Sequence, residues 1–130
     1  MTPVPATPHA LIVDDEPDIR MIARVALERV AGWEVTEATG ADEAVAAVAA
    51  RRPDVVLLDV MMPGVDGPAT LSRLRDLPDG ERLRVVFLTA KVQAAELERL
   101  AALGVDGVLG KPFDPMTLAT DVRRTLGWDA

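Results

Sequence analysis

Charged and hydroxyl side chains follow several apolar runs of this sequence. Asp14 and Asp15 come directly after "ALIV", and Asp59 comes directly after "DVVLL". Thr89 follows "RVVFL", and Lys111 stands shortly after "DGVL". Two carboxylates about 4 Å apart repel by about 4 kcal/mol at an intermediate dielectric constant, and Mg²⁺ offsets such repulsion because it prefers oxygen ligands. The carboxylates at these strand ends therefore suit Mg²⁺, and Thr89 and Lys111 add a hydroxyl and an ammonium donor.

Five short apolar runs predict the strands that position these residues. Three of the runs are continuous rather than alternating, which is typical of strands covered on both faces. The predicted strands are "ALIV" at 10–13, "WEVTEA" at 33–38, "DVVLL" at 54–58, "RVVFL" at 84–88 and "DGVL" at 106–109.

Amphipathic patterns between the strands predict five helices. The apolar face of the first consists of Ile19, Ile22, Ala23, Ala26, Leu27 and Val30. Capping signals and apolar spacing predict the others. They are a second from Thr39 and Asp42 to about Arg51, a third from Asp66 and Pro68, a fourth with Leu97 and Leu100 ended by Gly104, and a fifth from Asp114 and Pro115 carrying Leu118, Val122 and Leu126.

This alternation of strand and helix, repeated five times, predicts a doubly wound α/β domain. Crossover connections require a parallel sheet with helices on both faces. In such a sheet, sites form outside the carboxyl ends of the strands. All the residues singled out above follow strands at that edge, so we expect them to converge although they are far apart in sequence.

Four motifs carry a resemblance to a known family. They are "VDDE" at 13–16, "LLDVMMPGVDG" at 57–67, "LTA" at 88–90 and "GKPF" at 110–113. In this order the motifs strongly resemble the receiver domain of bacterial two-component response regulators, from about Ala10 to Leu126. The resemblance implies a flavodoxin-like three-layer sandwich with strand order 2-1-3-4-5. The receiver domain would span residues 10–127, after a flexible proline-rich tail at residues 1–9.

The resemblance also implies a role for each candidate residue. Asp59 would accept a phosphoryl group from a histidine kinase or phosphotransfer protein, while Thr89 and Lys111 would bind its oxygens. The Lys111-Pro112 peptide bond would be cis. The implied Mg²⁺ ligands are Asp14, Asp15, Asp59 and the backbone carbonyl of Met61. On this interpretation the chain is a signalling protein that assists only its own phosphorylation and dephosphorylation, and is not an enzyme.

Composition narrows the remaining possibilities. The chain has 130 residues, a formal net charge of −7, 49% hydrophobic residues and no cysteine. These values argue for one folded domain without disulfides or membrane insertion, and the scattered basic residues argue against unaided nucleic-acid binding. We expect a cytoplasmic protein that is a monomer or a weak dimer. His9, alone in the predicted tail, is expected to be a solvated bystander.

One departure from the family and three alternatives stay open. Val108 stands where many receiver domains carry Tyr or Phe, so the usual aromatic switch is in doubt. We expect no output domain after the fifth helix, so the signal would leave through a separate protein or through phosphate flow itself. We expect the face formed by helix 4, strand 5 and helix 5 to carry it. The first alternative is a Mg²⁺-dependent phosphohydrolase, but such an enzyme needs a second acid/base carboxylate that this sequence lacks beside Asp59. The second is a flavodoxin-like electron carrier, but the acidic segment "DDEPD" would repel the phosphate of its FMN cofactor. The third is a receiver-like module that binds partners without phosphate.

Overall fold

A computed structural model describes residues 4–128 as five strands and five helices in alternation. The strands are β1 (His9–Val13), β2 (Glu34–Ala38), β3 (Val55–Asp59), β4 (Val85–Thr89) and β5 (Gly107–Gly110). The helices are α1 (Pro17–Val25), α2 (Ala41–Ala50), α3 (Gly67–Arg75), α4 (Ala94–Ala101) and α5 (Leu118–Thr125). A π-helical segment, Ala26–Val30, continues α1, and a 3₁₀ turn, Gly80–Arg82, precedes β4.

The five strands form one parallel sheet in the order β2-β1-β3-β4-β5, which confirms the predicted architecture. In the register, Val13 lies opposite Leu58, and Asp59 lies opposite Leu88. Because the strands are parallel and their register is nearly level, β1, β3 and β4 end side by side. Polar residues at these strand ends therefore share one edge of the sheet.

Two apolar layers cover the sheet, one on each face. Alternate residues of the central strands enter different layers: Leu57 packs with α1 and α5 residues, whereas Leu58 packs with α2 and α3 residues. All five residues of β1, β3 and β4 are buried, as the continuous runs predicted. No helix in the described part of the chain is long and apolar enough to cross a membrane.

His9 is the clearest departure from the sequence-based expectation. It begins β1 and is only 4% exposed, and its Nε2 lies 2.7 Å from the Thr36 hydroxyl of β2. The prediction of a solvated histidine in the tail is therefore wrong. The hydrophobic pattern places the start of this strand at residue 10, because His9 is polar and does not extend the apolar run. Tail flexibility at residues 1–8 stays a prediction, and its first three residues lie outside the described range.

The predicted apolar face of the first helix is only partly correct. Ala23, Ala26 and Leu27 are buried, but Ile22 and Val30 are 40% and 45% exposed. The π-helical segment explains Val30, because its wider turn rotates each residue less than an α-helix does. The Val30 side chain, three residues after Leu27, therefore lies outside the buried face of the helix.

Two predicted helix starts also need correction. At α2, the Thr39 amide donates to the Glu43 carboxylate at 2.9 Å, whereas Asp42 pairs with Arg73. The capping partner is thus one residue later than predicted. At the fifth helix, Asp114 closes a turn through the Met116 amide, and the regular helix begins only at Leu118.

Candidate functional site

The carboxyl edge of the sheet brings the predicted site residues together. Asp59 and Thr89 are the last residues of β3 and β4, and Asp14 directly follows β1. Lys111 directly follows β5, and its backbone amide donates to the Thr89 carbonyl at 2.8 Å. The convergence expected from strand order is therefore present.

A lysine ammonium joins two of the carboxylates. Lys111 Nζ lies 3.0 Å from Asp59 Oδ1 and 3.1 Å from Asp14 Oδ2. The Asp59 and Asp14 side chains are 2% and 0% exposed, so these ion pairs are shielded from water. Lys111 thus offsets part of the carboxylate repulsion, through contacts that sequence reasoning did not anticipate.

Burial sets the protonation behaviour of this pair. Removal from water raises the pKa of Asp59, and the nearby Asp14 charge acts in the same direction against the hydrogen bond from Lys111. Burial alone would lower the pKa of Lys111, but its hydrogen bonds to Asp59 and Asp14 prevail and raise it. Lys111 therefore keeps its positive charge at neutral pH.

The acidic cluster fits a hard divalent cation. Asp14, Asp15 and Asp59 each present an oxygen within 4.8 Å of the others. Asp15 Oδ1 and Asp59 Oδ2 are buried and have no hydrogen-bond partner among residues 4–128. Buried acceptors without partners are costly, and carboxylate oxygens are the ligands that Mg²⁺ prefers. The Met61 amide lies 3.4 Å from Asp59 Oδ1, while its carbonyl stays a predicted ligand.

The segment after β4 is held by two contacts. The Thr89 hydroxyl accepts a hydrogen bond from the Lys91 amide at 3.0 Å and is almost fully buried. Val92 lies over Gly110, so that a Cβ atom there would approach Val92 Cγ1 to 2.9 Å. A side chain larger than hydrogen at position 110 would push the Val92 side chain aside. Val108 is half-buried against the apolar layer of α2 and α3.

Two further features border the site. The Lys111-Pro112 peptide bond is cis, as predicted. Arg20 Nη1 donates to the backbone carbonyl of Asp14 at 2.9 Å, and its Nε donates to Glu37 at 3.1 Å. Sequence reasoning missed Arg20, because its partner at the site is a backbone carbonyl, which leaves no residue-type signal.

Comparison with known proteins agrees with this geometry. The family model described as "Response regulator receiver domain" matches residues 10–123. The phosphate regulon transcriptional regulatory protein PhoB of Rhizobium meliloti is 37% identical over 92% of this chain and 52% of its own length. The response regulator Rre1 of Synechocystis is 39% identical over 89% of this chain and 50% of its own length. This chain thus spans about half the length of these relatives.

Solved structures give the same result. The chemotaxis protein CheY4 of Vibrio cholerae superimposes with a TM-score of 0.85 and 32% identity, over 93% of this chain and all of that one. The receiver domain of NtrX from Brucella abortus superimposes with a TM-score of 0.80 and 31% identity, over 92% and 99% of the two chains. The similarity therefore extends from sequence to strand order.

Proposed function

The chain belongs to the response regulator receiver domains of two-component systems, and from that premise we propose that Asp59 accepts a phosphoryl group in a Mg²⁺-dependent reaction. Receiver domains are signalling proteins that interact with histidine kinases or phosphotransfer proteins. In this proposal the donor is the phosphohistidine of such a partner. The protein passes on a signal and assists only its own phosphorylation and dephosphorylation.

One observation carries the proposal: the two oxygens of Asp59 differ. Oδ1 accepts from Lys111 Nζ at 3.0 Å, whereas Oδ2 is buried without a hydrogen-bond partner among the described residues. A buried acceptor with unmet hydrogen bonds favours a ligand or a reacting group beside it. A carboxylate fixed at one oxygen and available at the other is suited to act as a nucleophile.

The phosphoryl transfer needs no reactant besides the protein, the metal ion and the phosphohistidine donor. An Asp59 oxygen forms a bond to phosphorus while the bond between phosphorus and the imidazole nitrogen of the donor breaks. The electron pair of that bond stays on the leaving imidazole, and Asp59 becomes an acyl phosphate. Lys111 then pairs with one phosphoryl oxygen as a compact cation, and the Thr89 hydroxyl donates to another.

The metal ion belongs to the same proposal. Asp14, Asp15, Asp59 and the Met61 carbonyl would hold Mg²⁺, and the unpartnered oxygen of Asp15, together with the close approach of the three carboxylates, supports this ligand set. When bound, Mg²⁺ neutralises negative charge on the phosphoryl oxygens and the carboxylates. The chain's own residues then orient the acceptor oxygen and exclude water around it.

The output route follows from the segment after β4. When the Thr89 hydroxyl turns to a phosphoryl oxygen, its hydrogen bond with the Lys91 amide changes. The segment Ala90 to Gln93 and the start of α4 then shift, on the face formed by α4, β5 and α5. This route runs through Thr89 and needs no aromatic side chain, whereas β-branched Val108 has restricted rotamers and cannot swing as a ring does. A separate downstream protein would recognise the shifted face.

Intact mass measurement tests the proposal. Purified protein is mixed with a small phosphodonor and Mg²⁺ and is weighed before and after the reaction. We expect the mass to rise by one phosphoryl group. When Mg²⁺ is chelated before the donor is added, we expect no increase. An unchanged mass with donors that label other receiver domains would contradict phosphate acceptance and favour the phosphate-independent interaction module.

A further inference from the structure

Arg20 fastens the acidic loop after β1 to the rest of the fold. Its Nη1 donates to the Asp14 carbonyl at 2.9 Å, and its Nε donates to Glu37 Oε1 at 3.1 Å. The Arg20 side chain is 15% exposed, so solvent weakens these contacts little. Because Arg20 lies in α1 and Glu37 in β2, one guanidinium joins a helix, a strand and the loop.

The carbonyl that Arg20 binds belongs to the peptide group leading into Asp15. No hydrogen bond or ion pair holds the Asp15 carboxylate within residues 4–128, and its Oδ1 is buried without a partner. Asp14 and Asp59 differ, because Lys111 holds both of their carboxylates. The place of the Asp15 carboxylate therefore depends on the backbone around it.

We propose that Arg20 is a positioning residue that sets the Asp15 carboxylate for Mg²⁺, an inference that rests on the proposed function. The planar guanidinium donates in two directions at once, so it fixes the Asp14-Asp15 peptide plane relative to β2. Partners that orient metal ligands typically contribute at least about tenfold to metal affinity. Arg20 acts through Asp15 and makes no contact with a carboxylate of the cluster.

Arg24 offers a matched control on the same helix. Its Nε donates to the other oxygen of Glu37 at 2.6 Å, and it also reaches Glu28 and the Val35 carbonyl. None of these contacts involves the acidic loop. Arg24→Gln therefore removes an arginine from the same glutamate and leaves the Asp14 carbonyl bonded.

Calorimetric titration of the full chain with Mg²⁺ separates the two arginines. We expect Arg20→Gln to weaken Mg²⁺ binding about tenfold and Arg24→Gln to leave it near wild type. Arg20→Lys keeps the positive charge but loses the fork, so we expect the same loss. In protein without metal, backbone amides of Asp15 and Glu16 should exchange faster in Arg20→Gln than in Arg24→Gln.

Each outcome decides between explanations. Equal Mg²⁺ affinity in wild type and Arg20→Gln overturns the inference, as does full affinity in Arg20→Lys, which would assign the effect to charge alone. An equal loss in Arg24→Gln would mean general loosening of the fold. If wild-type protein binds no Mg²⁺, the proposed function fails together with the inference. If wild-type protein binds Mg²⁺, the affinity of Arg20→Gln tests the role of Arg20 alone.

Discussion

The two edges of the sheet carry the same acidic residue type and use it in different ways. At the amino-terminal edge, Asp54 and Asp106 directly precede β3 and β5. The Asp54 carboxylate accepts the His9 amide at 2.7 Å, and the Asp106 carboxylate accepts the Val85 amide at 2.8 Å. The amides of the same aspartates donate back to the His9 and Val85 carbonyls. Each aspartate thus extends the pairing of neighbouring strands.

At the carboxyl edge, Asp15 and Asp59 each keep a buried oxygen without a partner in the described chain. The carboxylates at the other edge accept backbone amides of neighbouring strands, so they stabilise the fold. Among these aspartates, an unmet hydrogen bond, rather than the residue type, distinguishes the candidate site from the structural contacts.

Asp59→Asn tests the site edge and should have the largest effect. The amide is nearly isosteric but lacks the anionic nucleophile, so we expect complete loss of phosphorylation with the fold retained. Intact mass after treatment with a phosphodonor, together with circular dichroism, measures both. Labelling as strong as wild type, at the same position, would refute the assignment of Asp59.

Asp106→Ala tests the structural edge. The Val85 amide loses its carboxylate acceptor, and an unpaired buried donor costs about 1–3 kcal/mol of unfolding free energy. Denaturant unfolding measures this loss, and phosphorylation per folded molecule should stay at the wild-type level. Asp106→Asn keeps an acceptor oxygen and should lose less. A slower phosphorylation in folded Asp106→Ala would break the distinction between the edges.

Thr89→Ala probes how the site edge transmits its state. A hydrogen bond to a charged oxygen contributes about 1.5–3 kcal/mol, so its removal should reduce the shifted population about tenfold or more. NMR shift mapping with and without a phosphoryl mimic measures the response of residues 90–93 and the α4, β5 and α5 face. An undiminished response in Thr89→Ala, or no response of residues 90–93 in wild type, would rule out this route.

The smallest expected effect is a pH dependence at the structural edge. Burial lowers the pKa of His9 below its ordinary value of about 6.5, with the positive charge of Arg51 acting in the same direction. The unfolded chain therefore takes up the proton first, and stability is lost as pH falls from the unfolded pKa toward the folded one. Asp59 has the opposite sign, because its raised pKa lets the native state bind a proton more readily above pH about 4.

His9 is the only histidine in the chain, so its ring signals can be followed in NMR without assignment work. We expect a titration midpoint below about 6.5. Melting temperatures at pH about 7.5 and about 5.5 should differ less in His9→Gln than in wild type. A midpoint above the ordinary value would contradict the effect of burial.

The sequence predicts the features that depend on the order and direction of the strands. It does not predict features that depend on local backbone geometry. The sequence predicts Asp14, Asp59, Thr89 and Lys111 at one edge because parallel strands point their carboxyl ends in the same direction. The exposure of Val30 follows from a wide helical turn, which no residue type signals. The pairing of Lys111 with two carboxylates was also not predicted, because it depends on side-chain conformations that the order of the strands does not determine.

The contact between Lys111 and Asp14 joins residues 97 positions apart in the chain. During synthesis, Asp14 emerges from the ribosome long before the lysine that compensates it. Until β5 docks beside β4, the acidic cluster lacks its balancing cation and the proposed acceptor lacks its partner for phosphoryl oxygen. On the proposed function, copies that lack β5 would have no lysine beside Asp59 and would be poor phosphoryl acceptors.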